Sequence, residues 1–201
     1  MPALSSTLVA LIVFGGFGLV IAVLVVVGLV AAYRFSQNNA AAWRELAART
    51  GLTAQRYGVD GNYRDHPVSL SYYGNRGRSY LHLVITVKNP RGIFFELSRQ
   101  YEGALDSKLQ AGLHGPDVRI GDDELDGRFI IESRPESFAQ HLFNSLDLRQ
   151  KILQARQGFR IELEEGRLSF VLQAIVTDPD ELVAILNLMS DIAQAVDTFP
   201  G

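Results

Sequence analysis

No charged side chain occurs between Met1 and Tyr33, and from Leu8 onward this stretch is almost wholly apolar. A helix rises about 1.5 Å per residue, so Leu8–Tyr33 spans a hydrocarbon core of about 30 Å with some tilt to spare. The pattern predicts a single transmembrane helix. Its main competitor is a cleaved signal peptide, which has a basic leading segment and an apolar core of about 7–15 residues. Here Met1–Thr7 carries no Lys or Arg, and the apolar run is far longer than that core. A buried helix of a soluble protein rarely stays uncharged for so long.

Flanking charge predicts orientation. Arg34, Arg44 and Arg49 follow the span and only the α-amine precedes it, so the positive-inside tendency places the C-terminal part in the cytoplasm. The chain has no Cys, which fits that compartment. Gly18 and Ala22 are four apart, as are Gly28 and Ala32, with Gly15 one turn earlier. Small residues at this spacing let helix backbones approach closely in lipid, and they mark the expected membrane-helix packing face. Against this, Gly is common in membrane helices of every kind.

The expected organisation is an anchor with its flanks over 1–36 and a soluble domain over 37–201, long enough to bury its own core. Charge is unevenly divided. Arg34–Tyr101 holds ten bases and four acids, about +6, which leaves about −9 elsewhere in a chain of net charge −3. A basic membrane-proximal part suits an anionic leaflet, and Arg34, Arg76, Arg78 and Arg91 are the expected lipid or phosphate contacts.

Asn38 or Asn39 is placed to cap a helix over 40–50 that Gly51 ends. Strands are expected at Val59–Tyr63 and Pro67–Tyr73, flanking a turn at Asp65 and His66. The clearest strand is Ser79–Lys88, with Leu81, Leu83, Ile85 and Val87 on one face and Tyr80, His82, Val84 and Thr86 on the other. Asn89–Gly92 turns it and Ile93–Ser98 returns, as in an antiparallel meander. Beyond that, Val118–Ile120 reads as a strand fragment, Gly121–Gly127 as an acidic turn, and Phe129–Glu132 as a strand. Ser133 reads as the cap of a helix over Pro135–Phe143, and Ser145 as the cap of one over Leu146–Gln157. A hairpin is expected at Phe159–Leu163 and Leu168–Leu172. Asp178-Pro-Asp-Glu181 starts a last helix with a core stripe from Leu182 to Val196. The expected fold is α+β, a mainly antiparallel sheet with helices on one face. Asp60-Gly-Asn-Tyr63 and Asp126-Gly-Arg-Phe129 echo each other, which raises a pseudo-repeat over 53–113 and 118–198.

Candidate chemistry is sparse. Asp122, Glu124, Asp126 and Gly127 imitate the first half of a calcium loop, but Ser133 stands where the bidentate Glu belongs. His66, His82, His114 and His141 have no zinc spacing. Phosphate-loop, GxSxG and kinase patterns are absent. The acidic total and the apolar stretch argue against nucleic acid as partner. No catalytic residue, metal or cofactor is expected.

Trp43-Arg-Glu-Leu-Ala with Gly51-Leu52, then Asp60-Gly-Asn-Tyr63, then Gly121–Phe129, resembles a widespread set of uncharacterised bacterial membrane-anchored proteins. The likeness spans most of the soluble part and implies a bacterial, membrane-tethered protein with no activity to transfer. The function expected is a non-enzymatic accessory subunit or protein-interaction module of the bacterial inner membrane, with the bilayer and a membrane protein as partners. The alternative is a lipid- or ligand-sensing module at the cytoplasmic surface.

Overall fold

A computed structural model describes residues 39–75, 78–99 and 117–200. The chain divides into two units, 1–41 and 42–201, and the sheet belongs to the second. The apolar span, its residues Gly15, Gly18, Ala22, Gly28 and Ala32, and also Arg34 and Arg76, lie outside the described residues. Among the described residues no helix is long and apolar enough to cross a membrane.

Eight strands form one antiparallel sheet: β1 (Thr53–Gln55), β2 (Gly58–Tyr63), β3 (His66–Asn75), β4 (Arg78–Thr86), β5 (Phe94–Arg99), β6 (Phe129–Arg134), β7 (Phe159–Glu164) and β8 (Arg167–Leu172). Their spatial order is β1-β2-β3-β4-β8-β7-β5-β6. The helices are α1 over residues 39–50, α2 (Asp123–Arg128), α3 (Glu136–Phe143), α4 (Leu146–Gln154) and α5 (Pro179–Thr198). The α+β class with an antiparallel sheet is as expected from the alternation of strand residues.

Two-residue turns join β2 to β3 and β7 to β8. Arg64 and Asp65 both have positive φ, as do Glu165 and Gly166, the twist that matches flanking strands. His66 is therefore the first residue of β3 and not part of the turn. Gly51, at φ 74, donates to the Ala47 carbonyl at 2.9 Å and ends α1.

The meander extends only through β4. The return strand β5 does not pair with β4; it lies between β7 and β6, and the β7–β8 hairpin fills the gap. The connection over 87–93 is long enough to step across two strands, and Val87 donates to Gly166 on the intervening hairpin. Three further local readings change. Residues 118–120 are not a strand, although Val118 donates to the Ile131 carbonyl. The acidic segment is helix α2, started by Asp122, whose carboxylate accepts from the Glu124 and Leu125 amides. Ser133 belongs to β6 and its hydroxyl donates to the Pro135 carbonyl, so α3 starts without a side-chain cap. The echoed motifs differ locally, Asp60–Tyr63 lying within β2 and Asp126–Phe129 running from α2 into β6.

Register carries one apolar row across the sheet: Val59, Leu70, Leu83, Phe170, Ile161, Leu97 and Ile131 stand opposite one another in turn. All are buried. The helices cover this face. Phe95 meets Phe138 and Phe143 of α3, and α5 packs on β4 and β8. Burying each such side chain contributes about 1.5–3 kcal/mol.

Tyr72 ties the sheet to the approach of α5. Its hydroxyl donates to the Val176 carbonyl at 2.5 Å and accepts from the Val176 amide at 2.7 Å, while its ring lies 5.1 Å from that of Trp43. Burial is the main reason its ionisation is pushed up to about 12 from an ordinary value of 10.0. The folded state then holds a proton that the unfolded state releases, so stability falls as pH rises from about 10 to 12. Tyr72→Phe strands both backbone groups of Val176 and is expected to cost about 1–3 kcal/mol in denaturant unfolding at pH 7. The variant also loses part of the alkaline slope; an unchanged slope contradicts this assignment.

Candidate functional site

Because side chains alternate along a strand, the residues between the core positions all point to the opposite face. Among the described residues no helix packs there. Its centre is aromatic and aliphatic. Tyr73 and Tyr80 are opposite one another across β3 and β4, with rings stacked at 5.1 Å and 12°. The His82 ring meets Tyr73 edge-on at 5.7 Å. Val171 stands opposite His82, and Val84 follows on β4. Tyr73 is 43% exposed, while Tyr80, His82, Val84 and Val171 are half-buried.

Burial first, and then the charge of Arg167, hold the His82 imidazole below the ordinary histidine range. The neutral imidazole is therefore the favoured form near pH 7. Proton resonances of His82 are expected to titrate at a lower pH than those of a free histidine; titration at or above the free value contradicts the assignment.

Toward β6 the same face becomes charged. Glu162, Glu96 and Glu132 form one cross-strand row on β7, β5 and β6. The Arg160 guanidinium lies 2.8 Å from Glu96 Oε2 and 3.5 Å from Glu162 Oε2. These carboxylates do not converge as metal ligands. The row was hidden in the sequence, since the three residues come from segments joined only by the insertion of β5 between β7 and β6. Only the parity of each strand, with Glu96, Glu132 and Glu162 at non-core positions, hinted at it. Arg134 closes this end, its guanidinium 4.9 Å above the Phe94 ring.

Of the arginines expected to meet lipid, only Arg78 and Arg91 are among the described residues, and these two lie apart. Arg78 opens β4 and Arg91 follows its far end, both exposed, so about 30 Å of strand separates them. The carboxylates of the calcium-like segment are engaged inside the protein. Asp122 caps α2 and receives Arg149 at 3.3 Å, Asp126 accepts from the Ile120 and Gly121 amides, and Glu124 pairs with Arg128 at 2.7 Å. The amide of Leu125, foremost, holds the Asp122 carboxyl below its usual range. His66 is buried and bound to Asp197, away from the aromatic cluster.

No family model matches the chain, and no curated protein matches it. Among solved structures, the crystal structure of the mycobacterial trehalose monomycolate transport factor A, TtfA, is similar at a TM-score of 0.49 and 10% identity. The similarity covers 71% of this chain and 72% of that one. At that score and identity it transfers no activity, ligand or partner to this chain.

Proposed function

We propose that the protein is a non-enzymatic accessory subunit of a bacterial inner-membrane complex, whose α+β domain docks a partner protein on the sheet face that no described helix covers. The Leu8–Tyr33 span tethers it, Gly15, Gly18, Ala22, Gly28 and Ala32 form the packing face of that span, and the arginines after it set the domain on the cytoplasmic side. The observation that carries the docking surface is the Tyr73–Tyr80–His82 ring cluster with Val84 and Val171, on the same face as the Arg160–Glu96 and Arg160–Glu162 pairs. An aromatic centre within a polar rim is the common anatomy of a protein interface, and tyrosines contribute disproportionately to its energy.

A photo-reactive phenylalanine analogue at Tyr73, in full-length protein in its native membrane, is expected to cross-link to one partner. The same group at Gln194, exposed on the helical side, is expected not to. Equal cross-linking from both positions, or none from Tyr73, contradicts the proposal.

A further inference from the structure

At the end of the sheet where β5 stops and β6 and β7 begin, a cavity of about 540 Å³ opens between strands and helix. Three guanidiniums line it: Arg99 from the last residue of β5, Arg128 from the end of α2 and Arg156 just past α4. Among the described residues no carboxylate lines it. The partners of these arginines are modest. Arg99 donates to the neutral Gln157 side chain at 2.7 Å. Arg128 shares its exposed pair with Glu124, and Arg156 stands 3.5 Å from Glu181. Exposed pairs of this kind are weak in water and readily exchanged for a better anion. The carbonyl end of α4 contributes a partial negative charge of about one half, so the positive character of the lining rests on the three guanidiniums, with Arg99 the one whose contact is a neutral amide and not a carboxylate.

Beside this cavity, between α4 and α5, lies a second hollow of about 350 Å³. The two share Gln154, Ala155 and Arg156. The second is mainly apolar, floored by buried Ile185 and Leu188 beside exposed Ala184, with Lys151 and Glu181 also in its lining. A cationic chamber thus continues into an apolar groove.

We propose that these joined hollows bind an anionic lipid, its phosphate held by Arg99, Arg128 and Arg156 and the start of its acyl chain laid in the α4–α5 groove. Guanidinium pairs with phosphate oxygens in a bidentate fork, and three of them around one chamber match a phosphomonoester or phosphodiester head. The combined hollow is in the size range of small-molecule sites. This site lies on the helical side and at the sheet end, so it does not depend on the partner-docking face proposed above.

The test uses the full-length chain in neutral detergent, with binding of dioctanoyl phosphatidic acid, dioctanoylglycerol and inorganic phosphate measured separately. The phosphatidic acid is expected to bind, more weakly as salt rises, with dioctanoylglycerol and inorganic phosphate each at least about tenfold weaker. Arg128→Gln and Arg156→Gln are each expected to weaken the phosphatidic acid about tenfold. Arg78→Gln, across β8 and β7 from Arg99, leaves it unchanged. Ala184→Glu, at an exposed helix position, puts a second carboxylate beside Glu181 in the groove and is expected to weaken binding about tenfold without lowering the Tm. If that variant lowers the Tm, the two arginine variants decide. Equal affinity for dioctanoylglycerol, equal affinity for inorganic phosphate, or unchanged affinity in both arginine variants overturns the proposal.

Discussion

Phe95→Ala is expected to lower stability by about 4 kcal/mol, and the Tm by about 10 °C for a domain of this size. Phe95 is fully buried on the helix-covered face, one strand in from the sheet edge. Its ring meets Phe138 edge-on at 5.7 Å and 82°, and Phe143 at 6.3 Å. Its strand partners are Leu163 on β7 and Ser133 on β6. Alanine would remove the contact through which α3 holds β5, and close packing on all sides leaves little room for collapse. Chemical unfolding of the full-length protein in detergent, followed by circular dichroism, checks the value. A loss below about 1 kcal/mol would mean that α3 does not pack on β5 as described.

Asp197→Ala is the second large effect, about 3 kcal/mol. The Asp197 carboxylate sits in the last turn of α5, where the helix dipole disfavours it. Three contacts offset that cost. Oδ1 accepts from the Lys88 amide at 2.8 Å and the Asn89 amide at 2.9 Å. Oδ2 lies 2.8 Å from Nε2 of His66, which is 4% exposed and whose Nδ1 has no hydrogen-bond partner among the described residues. One carboxylate therefore joins the start of β3, the end of β4 and the end of α5. Alanine would leave the buried imidazole without its Asp197 partner. Asp197→Asn keeps an acceptor for the two amides and is expected to recover about half of the loss, read in the same unfolding experiment. Equal losses for both variants would mean that the amide contacts contribute nothing.

Local features of the fold were legible because local chemistry decides them. The Leu81–Leu83–Ile85 alternation defined β4, Asp178-Pro179 the start of α5, Ser145 the start of α4 and Gly51 the end of α1. Adjacency was not legible. The 87–93 connection looks like a turn that returns beside β4, and only the apolar faces of β7 and β8, more than 60 residues later in the chain, claim that place. The Asp122 segment read as a turn because its acids and Gly127 suit one; the Asp122 cap and the burial of Leu125 make it a helix. The aromatic face was half visible, since Tyr80 and His82 alternate with the core residues of β4, whereas Tyr73 joins them only through the β3–β4 register. Arg99, Arg128 and Arg156 are scattered along the chain and share no motif. They converge because β5 ends where β6 and β7 begin.

The most direct test of the accessory-subunit account is gentle detergent extraction of tagged full-length protein from its native membrane, followed by quantitative mass spectrometry. The account predicts one integral membrane protein recovered in stoichiometric amount, and lost when Tyr73 and Tyr80 are both replaced by Ser. Recovery of the protein alone, or of the same partner in the same amount with both tyrosines replaced, would contradict it.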